Sequence, residues 1–129
     1  MGTKVLKSLK AAVLGTAITV MSVIPAYADT YIEEDFIDYN GNHYGYCVFD
    51  VDYESGMRNV YAWAGGLHDC EYRIELITTY SYGSEEEYTG FTNSYASISH
   101  DYEWAEDYQS THYVRSGIVI VDINSYSGS

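Results

Sequence analysis

Basic side chains are scarce in this chain. Of 129 residues only 6 are Lys or Arg, against 19 Asp and Glu, and all three lysines (Lys4, Lys7, Lys10) stand at the extreme N-terminus. Beyond residue 28 there is no lysine, and Arg58, Arg73 and Arg115 alone oppose all 19 acids, a net charge of −16. A field of that sign repels phosphate backbones and anionic headgroups, which argues against nucleic-acid partners and attachment to an anionic membrane surface.

Long apolar runs are equally scarce. The one run, Ala11 to Ile24, is 14 residues long and is diluted by Gly15, Thr16 and Thr19. It falls short of the roughly 20 residues that span a bilayer. No second run of that kind follows, so no membrane span is expected in the rest of the chain. Only two cysteines occur, Cys47 and Cys70, with neither a Cys-x-x-Cys spacing nor the further thiols that a zinc or redox site needs. The four histidines (His43, His68, His100, His112) are dispersed, and neither His-Glu-x-x-His nor Gly-x-Ser-x-Gly is present. No recognised catalytic motif remains, so catalysis is not expected.

What is present begins with an ordered N-terminus: three lysines, the short apolar run, then Pro25-Ala26-Tyr27-Ala28. That order predicts a secretory signal over 1–28, cleaved after Ala28, and a single extracellular domain over 29–129. Export favours a Cys47–Cys70 disulfide, the only pairing two cysteines allow. With about 24 residues in the ring, loop-closure entropy gives it roughly 3 to 4 kcal/mol.

After residue 28 helical periodicity is hard to find. Period-two alternation of Tyr, Val, Ile and Thr recurs between Gly, Asn and Ser punctuation, which predicts an all-β domain. Strands are expected over 31–39, 44–53, 58–64, 70–82, 88–99 and 111–123. Asn40-Gly41 marks a tight hairpin turn, 100–110 an acidic connection, and 124–129 a polar tail. Parity points Cys47 and Cys70 inward. In a flat meander both would lie opposite Ala64, about 9.5 Å apart and beyond disulfide reach. The fourth strand is therefore expected to cross into a facing sheet, making a small antiparallel two-sheet β-sandwich of about six strands. Phe49, Val51, Ile74, Leu76, Ile118 and Ile120 are its expected core around the disulfide.

Three clusters carry candidate chemistry. Asp50, Asp52 and Glu54 alternate along one strand face and form the only donor set that suggests calcium. As an EF-hand loop the segment fails, since Ser55 replaces the required glycine and Tyr61 the closing Glu. No other cofactor is expected. Asp101, Glu103, Glu106 and Asp107 lie beside His100, with His112 in reach if the flanking strands pair; paired carboxylates of this kind are the alternative reading, a small glycosidase-like hydrolase. Finally, Tyr44, Tyr46, Tyr61 and Trp63 are expected to share one outer face. The turn at 54–57 sets a register in which paired positions sum to about 111, so Trp63 lies opposite Val48 and Tyr61 opposite Asp50. Rigid amphipathic rings beside carboxylates suit a carbohydrate, a cell-envelope component or a protein ligand. Nothing in the composition specifies an oligomeric state.

Overall fold

The computed structural model describes residues 29–128 and, as backbone alone, residues 2–4. Every regular element among them is a strand, as the alternation predicts. One sheet runs in the order β1 (Gly2–Lys4), β2 (Asp29–Ile37), β3 (His43–Glu54), β4 (Met57–Gly65), β8 (Tyr95–Glu103). The other runs β10 (Val119–Gly128), β9 (Asp107–Ser116), β5 (Cys70–Tyr80), β6 (Gly83–Tyr88), with the two-residue β7 (Thr92–Asn93) also on β5. All pairings are antiparallel except β1 with β2. Apart from β1, the expected leader lies outside the described residues.

The turns follow from local chemistry. Between β3 and β4, Ser55 (φ 53°) and Gly56 (φ 86°) both hold positive φ, the conformation that matches a two-residue hairpin to strand twist. The register is then set: Val48 pairs with Trp63, Val51 with Val60 and Asp50 with Tyr61, so the sum of 111 holds along the ladder. Between β2 and β3, Gly41 (φ 85°) bends the chain. The Asp38 carboxylate accepts from the Asn40 and Asn42 backbone amides at 2.8 and 2.9 Å.

The sheets meet over one core drawn from both, including Ile32, Phe36, Phe49, Val51, Val60, Ile74, Leu76 and Val114. Tyrosine gives this core its character. Tyr72, Tyr108 and Tyr126 of the second sheet are fully buried, and each carries a hydroxyl to the first. Tyr72 donates to the Tyr44 carbonyl (2.8 Å), Tyr108 to the Arg58 carbonyl (3.1 Å) and Tyr126 to the Glu34 carboxylate. A buried hydroxyl without a partner would cost about 1 to 3 kcal/mol; here each one ties the two layers together.

Several expectations are corrected. Ten strands form among the described residues, more than the six expected. The single strand over 111–123 is a hairpin, β9 and β10, turning at Gly117 (φ 64°). Ile118 and Ile120 are consequently exposed rather than core, Ile118 by 93%, because they sit at the hairpin tip. The residues read as a polar tail form the second half of β10, and Tyr126 there is buried. The segment over 100–110 is the end of β8, a short turn and the start of β9, and the strand expected over 88–99 divides among the end of β6, β7 and the start of β8.

Cys47 and Cys70 are buried but not bonded to each other. The Cys47 sulfur lies against the Tyr126 hydroxyl (3.5 Å) and the Asn124 amide nitrogen (3.7 Å), both on β10. Cys70 opens β5, and β9 separates β5 from β10. Two inter-strand spacings amount to about 9.5 Å, beyond what a disulfide spans. β5 does cross to the second sheet, so the expected topology holds although the bond does not.

Candidate functional site

The outer face of the first sheet gathers most of the candidate ring residues. Cys47, Phe49 and Val51 of β3 point into the core, so Tyr46, Val48, Asp50 and Asp52 point outward by alternation. Opposite them on β4 stand Gly65, Trp63, Tyr61 and Asn59. The next strand adds Tyr95 beside Gly65, Ser97 beside Trp63 and Ser99 beside Tyr61, and β2 adds Tyr31 beside Asp50. Tyr46, Tyr61 and Tyr95 are exposed.

Trp63 occupies the gap made by Gly65. A β-carbon at Gly65 would meet Cζ2 and Cη2 of the indole at 2.7 and 2.8 Å, so the ring lies over the glycine, between Tyr46 and Tyr95 of the same cross-strand row. Tyr46 and Trp63 have centroids 4.8 Å apart with planes inclined by 43°, an attractive tilted contact. Val48 is only 8% exposed yet stands outside the core cluster; its cover comes from these outer side chains. Tyr44 does not join them. Gly45 (φ 98°) breaks the alternation, and the β2–β3 register shifts just there. Tyr44 therefore packs against the core cluster and donates to Asp38 at 2.9 Å.

Burial, followed by repulsion from Asp52 and Asp29, pushes the Asp50 carboxyl up to about 6. Burial and the Glu33 carboxylate push the Tyr31 hydroxyl up to about 12. Burial raises Tyr61, assisted by the Tyr46 and Tyr95 hydroxyls, and raises Tyr102, assisted by Asp52, Glu54, Asp29 and Asp50. These carboxylates therefore share one face with the rings. No arginine offsets them: Arg58 points inward to the Ala105 carbonyl, and Arg73 and Arg115 pair with Glu75 and Glu71 on the second sheet.

Asp50, Asp52 and Glu54 do not converge as a metal site, and among the described residues no group of three or more His, Cys, Asp and Glu is arranged to hold an ion. The acidic residues around 100–110 divide. Asp101 and Glu106 are exposed, and His112 is fully buried far from solvent. His100 and Glu103 meet at 2.5 Å, and His100 also contacts Glu87 of β6. Burial alone would raise Glu103, but hydrogen bonds from Tyr80 (2.7 Å), His100 and Tyr108 (2.8 Å) bring it below its usual value. Glu103 is saturated with donors, and the cluster clasps the edges of the two sheets. Sequence reasoning missed Glu87 here and Tyr31 and Tyr95 above; the two tyrosines join through strand pairing and Glu87 across the edges of the two sheets, and only Tyr95, as an aromatic among serines on an alternating strand, carried a local signal.

No family model, curated protein or solved structure matches this chain.

Proposed function

We propose that this protein is a small, secreted, acidic binding protein, without catalytic activity, that takes its ligand on the outer face of the first sheet. One observation supports this reading above the others: Tyr46, Trp63 and Tyr95 form a row of rings at the surface, with Tyr61 and the half-buried Asp50 beside it. Rigid rings with few rotatable bonds offer large contact area at low entropic cost, as binding surfaces require. Phenol hydroxyls and carboxylates around them supply the directional hydrogen bonds. The fold is pinned elsewhere, by the inter-sheet tyrosines, so the packing that these outer rings do is confined to the cover of Val48 and Gly65.

Carbohydrate and protein ligands both use such surfaces, and cell-envelope polymers combine the two chemistries. The test is Trp63→Ala. Retention on immobilised glycans and proteins should be lost while unfolding free energy changes by no more than about 1 kcal/mol, as for a surface truncation. Strong destabilisation with retention unchanged would make Trp63 a packing residue and remove the surface.

A further inference from the structure

We infer that His100 is a pH-sensitive latch between the two sheets: as an imidazolium it holds the edge strand β6 against β8, and on losing its proton it lets β6 go. The latch is independent of the ring face.

The geometry requires the charged form. Both ring nitrogens of His100 lie on carboxylates, Nδ1 on Glu103 of its own strand at 2.5 Å and Nε2 on Glu87 of β6. A neutral imidazole carries one N–H and one lone pair, so it donates to one carboxylate only, whereas the imidazolium donates to both. Of the two carboxylates, Glu103 is fixed. The Tyr80 and Tyr108 hydroxyls hold it from β5 and β9 at 2.7 and 2.8 Å, and the Tyr108 ring stands edge-on to the imidazole. Among the described residues Glu87 bonds His100 alone. On deprotonation the remaining N–H stays with Glu103, and the Nε2 lone pair is left facing the Glu87 carboxylate, which repels it. Glu87 turns to water and the latch opens.

β6 is the element that this change releases. It is the outer strand of the second sheet and exposed along its whole length, so no buried side chain anchors it. Glu85, Glu86 and Glu87 follow one another along it, and their charges repel. What holds the strand is its ladder to β5 between Glu75 and Tyr80, the Tyr88 ring beneath the Arg73 guanidinium at 5.2 Å, and the latch. Elements with so little burial are the first to open locally.

The sign of the effect follows from the groups around His100. Burial alone would lower its pKa, but Glu103 and Glu87 raise it above the ordinary 6.5. The latch therefore contributes fully below 6.5 and is lost as pH rises through the higher folded value. Packed about it are Tyr80, with Glu85 close by on β6, and Tyr108, with Arg58 beside it and Asp107 next to that arginine. Burial raises both phenols, so they keep their protons at neutral pH, as Arg58 does. Asp107 is also raised by burial, and it is left in place in every variant below.

The test is amide exchange of the isotope-labelled full protein by NMR, expressed as protection factors so that the intrinsic pH dependence of exchange cancels. Between about pH 5.5 and pH 8.5 the β6 amides should lose roughly tenfold in protection, with a midpoint that coincides with the imidazole titration of His100. His100→Gln, which keeps a donor without a charge, should remove that response. Glu87→Gln should reduce it to less than about twofold, because an amide either accepts from the imidazolium or donates to the Nε2 lone pair. Circular dichroism establishes that each variant is folded, and Glu87→Gln, at an exposed position, carries the test if His100→Gln is not. Equal protection of native β6 at both pH values, a full response retained in Glu87→Gln, or a His100 midpoint at or below 6.5 would overturn the inference.

Discussion

Trp63 lies over Gly65, with no room between them for a methyl group: the indole carbons and the Ser94 carbonyl oxygen (2.6 Å) all crowd the position a β-carbon would take. The absent side chain is what lets the ring fill the space between Tyr46 and Tyr95. Gly65→Ala should displace the indole and press on backbone, which cannot move aside cheaply. A loss of about 1 to 3 kcal/mol in urea unfolding is expected, together with a red shift of Trp63 emission in the Trp104→Phe background. Unchanged emission would mean the ring does not rest on the glycine.

Asp50 opposes folding when ionised. Its folded pKa, about 6, lies above the ordinary 3.8, so its contribution is fully present below about pH 4 and is lost as pH rises through 6. Asp50→Asn should therefore be more stable than the native sequence at pH 8, by about 1 kcal/mol after allowing for solvent screening, and equal to it near pH 3.5. Destabilisation at pH 8 would show that the carboxylate is satisfied within the fold. A surface residue that costs stability fits a role in binding.

His112 acts in the opposite direction. Complete burial holds its imidazole down at about 4, against 6.5 in the open chain, although hydrogen bonds to the Asn124 and Val48 backbone favour the charged form. Below pH 6.5 the unfolded chain takes a proton that the folded chain refuses, so stability falls between pH 6.5 and 4, by roughly 3 kcal/mol. Urea titrations across that interval measure the slope, and His112→Gln should flatten it. An imidazole NMR titration of His112 with a midpoint above 6 would contradict the burial.

The two thiols should behave as separate buried groups. Burial pushes Cys70 up, with Asp69 adding to the effect, and Cys47 is fully buried against Tyr126 and Asn124 of β10. A bulky maleimide should label neither cysteine in the native protein and both in urea. An intramolecular Cys47–Cys70 bond would require β10, β9 and β5 to be arranged differently.

How much of this was legible beforehand depended on the range of the interactions. The β3–β4 register was readable from Glu54-Ser55-Gly56-Met57, because a two-residue turn dictates pairing to the strands on either side, and alternation then placed Tyr46, Asp50, Tyr61 and Trp63 outward. All-β character was readable for a similar reason: period-two patterning is local. Where one residue interrupts the pattern, local reading fails. Gly45 is visible as a glycine, but not that a side chain there would run into Gly65 and Tyr72, and its positive φ turns Tyr44 away from its expected face.

The remainder was settled only when distant segments met. Ile118 to Val121 reads as a buried strand, yet Gly117 makes it a hairpin tip, because β10 must return beside β9 for Tyr126 to reach Glu34. The cysteine pairing depended on which strand of the second sheet covers Cys47, and that is β10 rather than β5. Glu87 reaches His100 across the edges of two sheets that share no hydrogen-bond ladder. Composition and alternation determined the all-β character, the acidic surface and half of the ring face, since each rests on neighbours in the chain; strand count, strand order and the packing of the two sheets decided the thiols, the exposed tip and the company Asp50 keeps, since each rests on residues brought together only by burial of the common core.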